Sequence, residues 1–199
     1  MIRVYLVRHG IAAPASWGDT VARLGTPLDG VPDNVPDDSR PLTAKGRKRF
    51  RRAARAFARI GERIDRLFTS PLVRAVQTAE ILARVLKRDE VDVLEELRPG
   101  VPIAKVLAAV AKLVKDGEAV ALVGHDPQMS LLVVALAQLA QGDGERVTFR
   151  KGAIVRIDVD ALPPSKSEPR WHLKPRVRTI VEGLPLVKAT ADRPARARR

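Results

Sequence analysis

The sequence predicts an α/β domain built as a three-layer sandwich, a mainly parallel central sheet flanked by helices. Short apolar runs rich in β-branched residues alternate with segments of helical periodicity. Several of those runs stop abruptly at a glycine or a Ser-Pro pair, as strands do where a tight turn opens a helix. The chain has 199 residues, 45% of them hydrophobic, and no cysteine. A chain of that length buries roughly 70% of its unfolded surface, so one apolar core holds it without disulfide staples.

Each element follows from local chemistry. Ile2 to Val7 reads as a buried strand that ends where Arg8, His9 and Gly10 begin. From Pro14 to Asp38 the chain carries Pro14, Pro27, Pro32 and Pro36 with Gly18, Gly25 and Gly30, so residues 14–38 form an extended loop. A loop that long is a lid, a binding loop or an insertion, with Trp17 and Leu24 placed to fold over a pocket or to anchor it. Thr43 caps the next helix, in which Phe50, Ala53, Phe57 and Ile60 recur at helical spacing before Gly61 stops it. Its other face is Lys45, Arg47, Lys48, Arg51, Arg52, Arg55 and Arg59.

Arg66 to Thr69 is a second strand. Ser70 and Pro71 then read as the capping hydroxyl and first residue of a helix reaching Leu86. Val91 to Leu94 is a small strand, and Pro102 opens a third helix with Ile103, Val106, Leu107, Val110 and Leu113 as its core stripe. Glu118 to Val123 is a further buried strand, Gly124 a turn, and Pro127 the first residue of a nearly all-apolar helix through Leu139. Ile154 to Val159 and Arg170 to Val177 are late strands, the second interrupted by Pro175 and therefore assigned to an edge. The domain is placed at residues 1–179 and a basic C-terminal tail at 180–199.

The net charge of +13 is concentrated. Residues 40–66 hold 11 Lys and Arg against 2 acids, and residues 164–199 hold 10 against 3, which leaves the remainder slightly acidic. Such runs attract nucleic acid, anionic lipid or an acidic protein surface, or simply solubilise the fold. With two Trp, one Tyr and four Phe there are few stacking platforms, so no specific nucleic-acid partner is expected. No apolar stretch approaches the roughly 20 residues of a membrane span, and Arg3 interrupts the first strand where a signal-peptide core would run. The expectation is a cytoplasmic protein with no membrane partner.

Three strands release polar groups where a turn begins: Arg8-His9-Gly10, then Thr69-Ser70-Pro71 with Arg74 one turn on, then Gly124-His125-Asp126. In open α/β sheets, ligands bind outside the carboxyl ends of the strands, so these turns are expected to line one crevice. Two of the chain's three histidines stand there beside a glycine. Two imidazoles and two arginines around one point suit a phosphoryl group. Forked guanidinium donors match its equatorial oxygens, and the neighbouring cations disfavour imidazole protonation, leaving a nucleophilic nitrogen.

Arg8-His9-Gly10, the run Ser70-Pro-Leu-Val-Arg74-Ala-Val-Gln-Thr78-Ala, and Val123-Gly124-His125 resemble the histidine phosphatase superfamily, also known through phosphoglycerate mutase, over about residues 1–177. Arg40-Pro41-Leu42-Thr43 with Gly46 is similar to the SixA-type phosphohistidine phosphatases of that superfamily. The resemblance implies a phosphoglycerate mutase-like fold and a hydrolase that works through a phosphohistidine intermediate. It implies His9 as the phosphorylated nucleophile, Arg8 and Arg74 as phosphate-binding residues, and His125 as the second histidine contacting the phosphoryl group. Arg40 and Ser70 are added as further substrate-binding candidates.

Many members of the superfamily carry a glutamate proton donor in an inserted helical segment, and this sequence has no such segment. Glu96 lies in the corresponding interval and is the candidate acid, while Asp126 adjoins His125. A phosphoramidate with a protonated imidazole leaving group needs little acid help, so the implied substrate is phosphohistidine on a protein such as a histidine-containing phosphotransfer domain. The alternative is a small phosphate monoester. No cofactor or metal is expected, because a zinc site from His9, His125 and Asp126 would set a cation beside Arg8 and Arg74. The non-enzyme alternative is a basic module that binds nucleic acid or polyphosphate.

Overall fold

The computed structural model of the protein describes residues 1–14, 36–140, 147–176 and 178–185. The elements are β1 (Ile2–Arg8), α1 (Ala44–Arg59), β2 (Arg66–Thr69), α2 (Val73–Leu86), β3 (Asp92–Val93), α3 (Ile103–Leu113), β4 (Ala119–Gly124), α4 (Gln128–Leu136), β5 (Ile154–Val159), β6 (Ser167–Lys174) and β7 (Thr179–Glu182). Short 3-10 turns occupy Asp37–Ser39 and Glu95–Leu97.

One seven-stranded sheet runs in the order β3-β2-β4-β1-β5-β6-β7. The β3–β2, β2–β4 and β4–β1 pairings are parallel, whereas β1–β5, β5–β6 and β6–β7 are antiparallel. The sheet is therefore mixed rather than mainly parallel. Parallel neighbours need a crossover, and α1, α2 and α3 connect the first four strands. β5 follows α4 and lies antiparallel to β1, and β6 and β7 then follow by simple reversals, which only antiparallel pairing allows.

Alternation along the strands makes the three layers. Val4, Leu6, Phe68, Val120, Leu122 and Ile157 pack with α3 and α4, whereas Tyr5, Val7, Leu67, Ala121, Val123 and Ile154 pack with α1 and α2. Tyr5 meets Phe57 of α1 edge-on at 5.2 Å. Sixteen residues of α1 include eight Lys and Arg and no acid, with like charges at Arg47–Arg51, Lys48–Arg52, Arg51–Arg55 and Arg55–Arg59. Each such i,i+4 pair costs about 0.2–0.5 kcal/mol. Burying Phe50 and Phe57 contributes about 1.5–3 kcal/mol each and outweighs that repulsion. At the start of α1, the Thr43 hydroxyl accepts from Gly46 N at 2.9 Å. A Cβ on Gly46 would lie 2.1 Å from the Ile11 carbonyl oxygen, so only glycine lets the helix seat on the segment after β1.

Several expected boundaries shift. The second helix starts at Val73 rather than Pro71, with Leu72 at its cap position and no side-chain cap bond. Ser70 is not at the cap position; its hydroxyl accepts from Leu72 N at 3.4 Å and also bonds His125 Nε2 at 2.8 Å. The helix after β4 spans Gln128–Leu136, shorter than the predicted run from Pro127 to Leu139. β6 stops before Pro175 and is not an edge, because β7 pairs outside it. Pro169 fits inside β6 where the β5–β6 register slips between Arg156 and Ile157, a place where a missing N–H is tolerated. The predicted boundary at residue 179/180 falls within β7. Most of the predicted loop (residues 15–35, with Trp17 and Leu24) and tail residues 186–199 lie outside the described residues. Among the described residues, no helix is long and apolar enough to cross a membrane.

Candidate active site

The three polar turns leave three adjacent parallel strands, β2, β4 and β1, at their carboxyl ends. The ladder continues into the turns: His9 N donates to Gly124 O at 3.0 Å, and Ser70 N to Val123 O at 2.9 Å. A further link joins the first turn to α2. Gly10 N donates to Thr78 Oγ1 at 3.1 Å, and that hydroxyl donates to Arg74 O at 2.7 Å. Thr78 thereby sets the turn bearing His9 against the helix turn bearing Arg74.

The predicted cluster forms. The His9 and His125 rings lie 5.1 Å apart, and the two histidines and Arg74 are 7%, 3% and 4% exposed. His9 Nδ1 is 2.7 Å from Gly10 O. A carbonyl only accepts, so the proton sits on Nδ1 and the lone pair on Nε2. Burial, then the nearby His125, Arg74 and Arg8, push the His9 pKa down to about 3 against the pull of the Gly10 carbonyl. His125 is lowered to about 4, by burial first and then by Arg74, with Asp37 opposing and Arg8 and Arg40 adding. Its Nε2 is 2.8 Å from Ser70 Oγ, while its buried Nδ1 has no partner among the described residues.

Backbone and carboxylate oxygens hold the arginines in place. Arg74 donates to Asp37 O at 2.6 Å and to Asp37 Oδ2 at 2.8 Å. Arg8 donates to Phe149 O and lies 3.3 Å from Asp126 Oδ2. Arg40 stands further out, bonded to Ala13 O and to the other oxygen of Asp37, near enough for its charge to be felt at His125. Asp126 points to Arg8 and to the Ser130 hydroxyl, so its carboxylate is committed away from the imidazole pair that a zinc site would need.

Glu96 is not brought into the cluster. Its carbonyl accepts from Gln128 Nε2, and among the described residues no hydrogen bond or ion pair ties its carboxylate to the four central side chains. The carboxylates that do reach the arginines are Asp37 and Asp126. Although burial raises the Asp37 pKa, the hydrogen bonds and charges of Arg74 and Arg40 outweigh it and hold the acid below its usual range. Asp37 is thus an anion and a poor proton donor.

Sequence reasoning missed Asp37, the clamp formed by Gln128 on the carbonyls of Glu96, Arg98 and Val101, and Lys151. Gly152 N donates to both Arg8 O and His9 O at 3.0 Å, and Arg8 N donates to Ala153 O at 3.2 Å. These bonds pin the turn carrying Lys151 to the end of β1 and the turn that bears His9. Burial, followed by Arg8, Arg40 and Arg74, lowers the Lys151 pKa, so its ammonium shares their field. The only sequence signal was Lys151-Gly152 just before β5.

The relatives decide the family. The chain is 30% identical over 161 residues to the phosphohistidine phosphatase SixA of Escherichia coli, covering 80% of this chain and 86% of the relative. The chain belongs to the histidine phosphatase superfamily, in its SixA-type branch. The model of the histidine phosphatase superfamily (branch 1) matches residues 4–99, which include the first two motif turns. The solved structure of a histidine phosphatase SixA complexed with tungstate overlays at a TM-score of 0.70 with 26% identity, covering 89% of this chain and 99% of that one. A phosphoserine phosphatase from Entamoeba histolytica in complex with 3-phosphoglyceric acid shares the fold, at TM-score 0.56 and 16% identity, over 84% of this chain and 97% of that one. Superfamily membership makes this protein a histidine phosphatase, a hydrolase with a phosphoglycerate mutase-like fold.

Proposed function

We propose that this histidine phosphatase removes the phosphoryl group from phosphohistidine on proteins, in the cytoplasm and without a metal, through a phosphohistidine formed on His9. The observation that carries the reading is the hydrogen bond from His9 Nδ1 to Gly10 O, beside a second neutral imidazole and two fixed guanidiniums. It leaves a lone pair on Nε2, oriented by a rigid turn at a strand end.

In the first step His9 Nε2 attacks phosphorus as the P–N bond of the substrate breaks. A substrate imidazole protonated on its other nitrogen leaves as a neutral ring, so no enzyme acid is required at that stage. Arg8 and Arg74 stabilise charge on the equatorial oxygens, with His125 as a further hydrogen-bonding partner. In the second step water attacks the phosphohistidine, the P–Nε2 bond breaks, and inorganic phosphate departs. Among the described residues, the carboxylate bonded to Arg74 is that of Asp37, an anion and a poor proton donor, which supports a substrate with a good leaving group over an alkyl ester.

One feature favours the second reading, a small phosphate monoester. His125 borders a cleft of about 190 Å³ lined by Pro99, Val101, Ile103, Pro127 and Leu131, which is room for a compact apolar leaving group. Two measurements separate the readings. His9→Ala loses turnover of an aryl phosphate by on the order of 10³-fold or more. The native protein then dephosphorylates a histidine-phosphorylated phosphotransfer domain with higher kcat/KM than sugar phosphates. The reverse ranking selects the monoester reading, and full activity of His9→Ala rejects both.

A further inference from the structure

We propose that the arginine-walled groove between α1 and α2 is a docking surface for an acidic protein, the one that presents its phosphoryl group to His9. The inference rests on the phosphohistidine reading and names the partner surface it requires. The groove has a volume of about 310 Å³ and is lined by Arg51, Arg55 and Arg84, with Ile81 and Val85 as its floor. All three arginines are exposed, while Ile81 is buried and Val85 half-buried.

Three features of the molecule converge on this surface. First, α1 keeps its eight cations with no acid of its own, and among the described residues none of them forms a salt bridge. Lys45, Arg47 and Lys48 even oppose the positive end of the helix dipole. Among the described residues no counter-charge pairs with this face, and an external anion would relieve the repulsion.

Second, the groove lies on two helices whose N-terminal ends adjoin the active site. α1 begins where Thr43 N bonds Ile11 O, and α2 begins with Arg74 in its first turn. At 1.5 Å per residue, Ile81 and Val85 lie roughly 10–17 Å along α2 from Arg74. A protein seated on the catalytic turns spans that distance, whereas a small ester does not.

Third, the lining selects a protein over a single-stranded nucleic acid. The exposed large hydrophobics among the described residues are Met1, Ile60, Val93, Leu113 and Leu131, none of them aromatic, so no stacking platform is offered. An aliphatic floor between guanidiniums matches a surface that alternates carboxylates with aliphatic side chains.

The test uses the full chain in about 0.15 M salt, where the screening length is about 8 Å. The triple variant Arg51→Glu/Arg55→Glu/Arg84→Glu is compared with the native protein on an aryl phosphate and on an acidic phosphotransfer domain phosphorylated on histidine. Expected is a tenfold or greater fall in kcat/KM on the phosphoprotein, carried by KM, with aryl phosphate turnover within twofold. Calorimetric binding of the unphosphorylated domain weakens by at least the same factor, and the Arg→Gln triple variant falls between. Equal losses on both substrates, unchanged phosphoprotein kinetics, or equal binding of the domain by native and triple variant overturn the proposal. If the native protein leaves phosphohistidine untouched while cleaving the aryl phosphate, the functional reading fails. The binding measurement alone then decides the groove, and equal binding still rejects it.

Discussion

Arginine is used in two opposite ways in this molecule. At the carboxyl ends of β1, β2 and β4, Arg8 and Arg74 are fastened to Phe149 O, Asp126, and the carbonyl and carboxylate of Asp37. Along α1, five of the six arginines lie exposed and Arg49 is half-buried; Arg47 donates to Leu42 O, and none has an ion pair among the described residues. A fastened guanidinium has surrendered its rotamer freedom before a substrate arrives, so it can favour one charge distribution at one point. A loose one supplies a field that salt weakens and that depends little on any one residue. The cluster should therefore respond to single substitutions, and the helix face only to several.

The sharpest contrast comes from alanine at one arginine of each kind. Arg74→Ala is expected to lower kcat on an aryl phosphate by about 10²–10³-fold, the range for losing one preorganised donor to a developing anion. Arg51→Ala should leave the same rate within twofold. Comparable losses at both positions would erase the distinction between the two regions.

Titration gives the next largest effect. His9 and His125 have native pKa values of about 3 and about 4, against 6.5 for a free imidazole. Both are depressed, so below pH 6.5 the unfolded chain takes up protons that the native cluster refuses. Stability is then lost as pH falls from 6.5 towards 4. By pH 5 each imidazole accounts for about 2 kcal/mol of that loss. Urea unfolding of His9→Asn and His125→Asn should show a correspondingly shallower decline between pH 7 and pH 5. The native slope persisting in both variants would mean that the imidazoles titrate normally.

Lys151 sharpens the comparison from an intermediate position, its backbone turn pinned and its ammonium in no ion pair among the described residues. Lys151→Met should raise KM for an aryl phosphate about threefold to fivefold with kcat unchanged, as for a group that binds ground and transition states alike. A fall in kcat at constant KM would move Lys151 into the reacting cluster.

The parallel half of the fold was readable because each strand there carries its own stop signal. Arg8-His9-Gly10, Ser70-Pro71 and Gly124-His125 mark the ends of β1, β2 and β4, and adjacency of those strands does the rest. The antiparallel half was less legible. A four-residue strand such as Thr179–Glu182 looks like tail until β6 is there to pair with it. The same limit hid the supports of the site. Arg8 reaches Phe149 across 141 positions and Arg74 reaches Asp37 across 37, contacts with no local periodicity to announce them. A Ser-Pro pair is chemically fit to start a helix, and only the folded chain shows the Ser70 hydroxyl shared between Leu72 N and His125. Glu96 was chosen by interval alone, and its turn is held through backbone carbonyls rather than its carboxylate.

The central claim is that His9 becomes the phosphorylated residue. Rapid mixing with substrate, an alkaline quench that preserves phosphoramidates, and peptide mass spectrometry test it directly. One phosphoryl group is expected on the peptide containing His9, formed within a single turnover and absent from His9→Ala. A phosphoryl group on His125, or single-turnover hydrolysis with no phosphoenzyme, would contradict it.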